Sequence, residues 1–351
     1  MSAKKRSLWD PEILVPAAGD ALKKLSPAVL VKNPVMFVTA VGELVKPHLV
    51  RRNDGADPAT VALNVKQQTD RISRMTSLAE RMADVDAMGI ERQVIKPSPM
   101  QCYYEVPPEI AVKAARLVND GMAEYAAKIP DRLIPFGTLP MSVPSAAVEE
   151  LERCSRELKF KGVQILTNIA GRELSDPAFE PFWAKAEALK MLVVIHPGGF
   201  TQPQRFSRFY FNNVIGNPLD TTVAVHHLIF DGVLERYPNV RILAVHGGGY
   251  AGAYSGRMDH AWGARSDSHD KLPKPPTEYL RRMYVDSVVF TPHQLDYLVR
   301  LFGADHVMMG TDYPFDMGDY DPVGHVVSGE LDEATIAAVA GGTAKKLLEL
   351  K

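Results

Sequence analysis

The chain is 351 residues long, 46% hydrophobic and 23% charged, with a formal net charge of −2. That length holds one large domain or two ordinary ones, and the composition is that of a globular protein with a sizeable core. The near-neutral charge, without a large basic block, excludes nucleic acid as the main partner, and no apolar run reaches the roughly 20 residues that span a bilayer.

At the N-terminus, Met1 to Arg6 is basic. Trp9-Asp10-Pro11-Glu12 then follows where a secretory leader needs an apolar core, so the expected location is the cytoplasm. Ser7-Leu8-Trp9 or Ile13-Leu14-Val15 offers a first strand. Pro16 to about Gln68 has mixed periodicity and several prolines, and reads as an inserted arm or cap (residues 16–68) within a single domain.

From Arg92 onward, short apolar runs alternate with helical patterns. The runs are Gln93–Ile95, Leu133–Gly137, Val163–Leu166, Leu192–Ile195, Ile242–Val245, Tyr284–Val289 and Val307–Met309, each short and apolar enough for a buried strand. Helices are predicted over Ile110–Ala127, Ser145–Leu158, Pro177–Leu189 and Thr221–Arg236, where apolar residues recur three and four apart. Regular strand–helix alternation implies a parallel sheet. Seven runs plus the N-terminal strand give an α/β fold, a TIM-like (β/α)8 barrel over residues 1–351. A doubly wound open sheet is the competing topology, but no GxGxxG follows a first strand. Cys102 and Cys154 lack CxxC spacing and read as reduced packing residues.

In such a barrel, reactive side chains sit at the C-terminal ends of strands. Three strands here end on residues suited to metal or proton chemistry: Ile195-His196-Pro197-Gly198-Gly199, Val245-His246-Gly247-Gly248-Gly249 and Gly310-Thr311-Asp312-Tyr313-Pro314-Phe315. Glycines after a histidine keep space open beside the imidazole, and an aspartate at a strand end binds a cation or steers a water. One such histidine is commonly a hydrogen-bonded structural residue, and Asp312 alone reads equally as a turn cap. Three at equivalent positions point to a site. Lys96 ends the second strand and faces either the mouth or solvent. His226 and His227, adjacent in a predicted helix, face different directions and read as packing residues.

These segments, with Gly232-Val233-Leu234-Glu235-Arg236-Tyr237-Pro238, Gly256-Arg257-Met258-Asp259 and Val285-Asp286-Ser287, resemble the aminocarboxymuconate-semialdehyde decarboxylase group of the amidohydrolase superfamily. The similarity runs from about Arg71 to the C-terminus. It implies a divalent metal, Zn²⁺ or Mn²⁺, held by His196 and Asp312, with His246 as the acid/base that activates a water or moves a proton. Arg257 matches an arginine that in this group reaches a neighbouring subunit's site to bind a substrate carboxylate, which implies a homodimer. The family usually opens with His-x-His on its first strand, yet no histidine here precedes His48. Some aromatic-acid decarboxylases of the family carry a Glu-x-apolar pair there, and Glu12 with Leu14 fits that version, making Glu12 the third expected ligand. Arg71 and Arg74 are further candidates for a substrate carboxylate, because guanidinium forks suit that group.

The implied activity is decarboxylation of a small unsaturated or aromatic carboxylic acid. Hydrolysis or hydration would use the same ligands and base. A catalytically silent barrel is the remaining alternative, because the usual His-x-His is absent.

Overall fold

A computed structural model of the chain describes Val45 and residues 57–350. The stretches expected to supply the first strand, and Glu12, lie outside the described residues, as does most of the expected arm. The described end of that arm is helix α1 (Pro58–Thr76), which runs unbroken past Gln68. Asp57 caps it by accepting the Thr60 N–H at 2.9 Å.

Beyond it the strands are β1 (Gln93–Ile95), β2 (Leu133–Pro135), β3 (Gly137–Thr138), β4 (Gly162–Leu166), β5 (Asn168–Ile169), β6 (Arg172–Glu173), β7 (Leu192–His196), β8 (Arg241–Ala244), β9 (Tyr284–Asp286) and β10 (Val307–Met308). β1 pairs in parallel with β2, and β3, β4, β7, β8, β9 and β10 follow one another in one parallel sheet. β2 and β3 are one predicted strand interrupted at Phe136, whose N–H still donates to the Ile95 carbonyl at 2.8 Å. The wall therefore runs β1, β2/β3, β4, β7, β8, β9, β10, in chain order, as in a (β/α)8 barrel. β5 and β6 form a separate antiparallel hairpin.

Helix α2 (Leu78–Ala87) precedes β1, and helices α3 (Pro108–Ala126), α4 (Pro144–Arg156), α5 (Glu180–Ala188), α6 (Asn217–Phe230), α7 (Ser255–Ala264) and α8 (Pro292–Phe302) lie between the strands. Their buried residues recur at helical spacing, as Ala147, Glu150, Leu151 and Cys154 do in α4. Cys102 and Cys154 are buried and reduced. Two predicted elements are cut short for local reasons. The helix predicted over Thr221–Arg236 breaks at Gly232, whose φ of +75° is left-handed, and a short helix Val233–Arg236 follows. The strand predicted over Tyr284–Val289 ends at Asp286, because that side chain turns back to accept the Val288 N–H at 3.1 Å.

Side chains alternate across the wall. Val163, Ile165, Val193, Ile195, Ile242 and Ala244 face the helices in the main core. Phe136, Leu192, Val194, Val245 and Met308 form a second core with Leu347 and Leu348. Arg241, at the start of β8, donates to the Leu347 carbonyl at 3.1 Å, so the C-terminal segment plugs the N-terminal end of the barrel. Each large side chain buried there stabilises the fold by roughly 1.5–3 kcal/mol. With one end filled by hydrocarbon, the opposite end is left for polar chemistry.

Candidate active site

His196 is the last residue of β7 and continues the inward alternation of Leu192 and Val194. It is 7% exposed. Its Nδ1 lies 2.7 Å from the Pro197 carbonyl, so Nδ1–H donates and the Nε2 lone pair is left for a cation. Burial, and then the nearby Lys96 charge, hold its pKa well below the usual imidazole value, so the ring is neutral as ligation requires.

His246 follows β8 in a turn that regular backbone does not permit. It has φ +57°, and Gly247, Gly248 and Gly249 have φ of +63°, +76° and +64°. A left-handed residue other than glycine costs about 1–2 kcal/mol. Asp286, at the end of β9, offsets that cost: its carboxylate accepts the N–H groups of His246 and Gly247, each at 3.0 Å. The glycines leave no room for alternatives. A Cβ on Gly247 would meet Val289 Cγ1 at 2.5 Å, and one on Gly249 would meet the Pro218 carbonyl at 2.3 Å.

Asp312 also sits on left-handed backbone, with φ +51°. The strand end that carries it is tied to β9, where Ser287 Oγ accepts the Gly310 N–H at 3.1 Å and the Ser287 N–H donates to the Met308 carbonyl at 3.0 Å. Burial raises the Asp312 carboxyl pKa, against the opposing pull of His246 and Lys96.

The three side chains converge. One ligand atom from each of His196, His246 and Asp312 lies within 4.8 Å of the others. His246 Nε2 is 4.0 Å from Asp312 Oδ2, and the two imidazoles meet edge-on with centroids 5.1 Å apart. Imidazole nitrogen with carboxylate oxygen is a donor set that suits Zn²⁺ or Mn²⁺, and the Pro197 carbonyl supplies the outer partner that a ligating histidine ordinarily has. The residues present fit such an ion.

The expected cations fall in different places. Arg71, on α1, is 12% exposed; it lies 3.5 Å from Asp316 and stacks over the Phe315 ring at 5.2 Å, in the loop that follows Asp312. Arg74 instead pairs with Asp84 at 3.0 Å on an exposed face. Arg257 is exposed on α7. His226 bonds the Thr222 carbonyl and stacks on Phe230, and His227 pairs with Asp231, so both stay on α6 as packing residues. Asp286 and Ser287 were visible in the sequence only as part of a motif. Their signal was an acidic residue and a hydroxyl directly at a strand end, which here shape the backbone under both His246 and Asp312.

The chain is similar to several known proteins. The Amidohydrolase family profile matches residues 59–350. A 2-amino-3-carboxymuconate-6-semialdehyde decarboxylase from Dictyostelium discoideum is 34% identical over 273 residues, covering 77% of this chain and 76% of that protein. A gamma-resorcylate decarboxylase from Rhizobium is 29% identical over 68% of this chain and 77% of its own length. Among solved structures, 5-carboxyvanillate decarboxylase from Novosphingobium aromaticivorans, with manganese and 3-methoxy-4-hydroxy-5-nitrobenzoic acid bound, superposes with a TM-score of 0.77 at 25% identity, covering 89% of this chain and 94% of that one. This chain belongs to the amidohydrolase family.

Proposed function

We propose that the protein is a metal-dependent decarboxylase, a carbon–carbon lyase acting on a small unsaturated or aromatic carboxylic acid. The observation that carries this reading is the convergence of His196, His246 and Asp312 from three strand ends into one cluster, in a chain whose relatives include named decarboxylases. His196 and Asp312 hold a divalent ion, Zn²⁺ or Mn²⁺, and Glu12 completes the set from the first strand. When bound, such an ion acts as a Lewis acid on substrate oxygens beside the scissile carboxylate. The bond to that carboxylate breaks, carbon dioxide leaves, and the electron pair stays on the ring or vinyl carbon. His246 delivers the proton that takes the place of the lost group.

Arg71, over the mouth, is read as an orienting group for the substrate, and Arg74 as a weaker candidate for the same role. Arg257, exposed on α7, is read as reaching a second copy's site in a homodimer. The protein is read as cytoplasmic. No helix among the described residues is long and apolar enough to cross a membrane.

The test is to load the purified chain with Zn²⁺ or Mn²⁺ and follow carbon dioxide release from a panel of hydroxylated benzoates and unsaturated dicarboxylates. Release by the loaded wild type is expected, together with loss of both bound metal and turnover in His196→Ala and Glu12→Gln. Turnover that persists in metal-stripped protein would overturn the reading.

A further inference from the structure

Lys96 stands at the C-terminal end of β1, where the alternation can be read from its neighbours. Gln93 accepts from Arg81 of α2 at 2.9 Å, and Ile95 packs with Tyr125 and Ala126 of α3, so both face the helices. Val94, which is 38% exposed, and Lys96 therefore point away from the helices, to the barrel side of the strand. The chain is fixed just beyond: Gln164 of β4, 0% exposed, donates its Nε2–H to the Pro97 carbonyl at 2.8 Å. Gln164 is itself inward-facing, because it is in register with Val194 of the interior core.

The ammonium at this position acts on the metal cluster from the opposite wall. Burial lowers its pKa, while the nearby Asp312 and Asp286 carboxylates favour its charged form, and that charge disfavours the protonated form of His196. Asp312 and Asp286, the carboxylates that act on it among the described residues, do so through space and not through a hydrogen bond. Arg71 and Arg74, the other candidate cations, each already have a carboxylate beside them, Asp316 at 3.5 Å and Asp84 at 3.0 Å. A buried ammonium without a hydrogen-bonded anion is costly, and a bound anion relieves that cost.

Resting on the decarboxylase reading above, we propose that Lys96 is a substrate-binding residue whose ammonium receives a second carboxylate of the substrate, so that the site prefers dicarboxylic over monocarboxylic planar acids. The first carboxylate lies at the His196–Asp312 cluster, and the ring bridges the two. Lys96 takes no part in bond breaking on this account; it sets affinity and orientation.

The competing anion is Glu12, the third expected metal ligand, which lies outside the described residues. The experiment separates the two. Zn²⁺-loaded protein is titrated calorimetrically with benzoate and with benzene-1,3-dicarboxylate, and metal content is measured in parallel. Wild type is expected to bind the dicarboxylate about tenfold more tightly or better. Lys96→Met should bring the two affinities to within about twofold at unchanged metal content, with Lys96→Arg recovering part of the preference. An undiminished preference in Lys96→Met overturns the proposal. So does loss of metal in that variant, which would assign Lys96 to Glu12 and the ligand set. If metal-loaded wild type binds neither acid, the decarboxylase reading fails and takes this inference with it.

Discussion

The two halves of the barrel mouth are made differently. The arc from β7 to β10 carries His196, His246, Asp286 and Asp312. Two of these four, with the glycines after His246, sit on left-handed backbone held by Asp286 and Ser287. The arc from β1 to β4 carries Lys96, Thr138 and Gln164, none of which has positive φ. A side chain that must leave a strand end at an unusual angle needs special backbone, and special backbone needs glycines and caps. A side chain that only has to point inward from a regular strand needs nothing but the alternation of the strand itself. The first arc should therefore carry the chemistry, and the second recognition.

The sharpest test of that division is His246→Asn. It removes the acid/base but leaves His196 and Asp312, so metal should stay bound while kcat falls by roughly 10²–10⁴-fold. Metal analysis beside steady-state kinetics decides it. A loss of metal equal to that of His196→Ala would make His246 a ligand, and the proton would have to come from elsewhere.

The same contrast explains what could be read from the sequence. His-Pro-Gly-Gly, His-Gly-Gly-Gly and Gly-Thr-Asp-Tyr-Pro-Phe were legible because sterics write themselves into glycine-rich motifs, and their positions after apolar runs placed them on one rim. The seven wall strands were legible for a related reason, being short, apolar and evenly separated. Lys96 was ambiguous, because one lysine after a three-residue strand gives no periodicity with which to assign its face. Only the partners of Gln93 and Ile95 resolve it. Arg71 and Arg74 were indistinguishable in sequence, yet three residues of helix turn one toward Asp316 and the other toward Asp84. Gly232 was passed over because helical spacing continues on both sides of it, whereas the break is set by one backbone angle.

Asp286→Asn probes the backbone support without touching the reacting groups. The carboxylate accepts three N–H groups, from His246, Gly247 and Val288. An amide offers one acceptor oxygen and turns a donor toward the rest, so about 1–3 kcal/mol of stability should be lost. Because the His246 turn depends on it, kcat should fall with stability while metal content changes little. A stable variant with normal turnover would show that the glycines alone define the turn.

A smaller effect links the two arcs through pH. The His196 imidazole is held below its usual range by burial first and by Lys96 second. In metal-free protein its NMR ring signals should therefore titrate below about pH 6.5, the ordinary histidine value. The neutral form is the one favoured by folding, so protonation of this group opposes the native state as the pH falls. Lys96→Met should move the titration upward without reaching the ordinary value, because burial remains. Titration at the ordinary value in wild type would mean that the site is wetter than its packing implies.

The smallest expected effect belongs to Gln164→Leu, and its direction follows from two opposing terms. The substitution removes the Nε2–H that the Pro97 carbonyl accepts at 2.8 Å, leaving a buried acceptor short of a partner, which costs about 1–3 kcal/mol. It also removes Oε1, a buried oxygen that accepts no hydrogen bond from the described residues and whose desolvation is uncompensated. Leucine has nearly the same volume and fits beside the apolar interior residue Val194, with which Gln164 is in register. The terms largely cancel, so the change in unfolding free energy should stay within about 1 kcal/mol. What does not cancel is position. Without the bond to Pro97, the end of β1 is freer, and Lys96 is held less firmly toward the interior. Dicarboxylate affinity should weaken by a few-fold, kcat and metal content should hold, and benzoate affinity should be unchanged. If Gln164→Leu instead strips the metal or lowers kcat as far as His246→Asn does, the β1–β4 arc takes part in the chemistry, and the division between the two halves of the mouth is wrong.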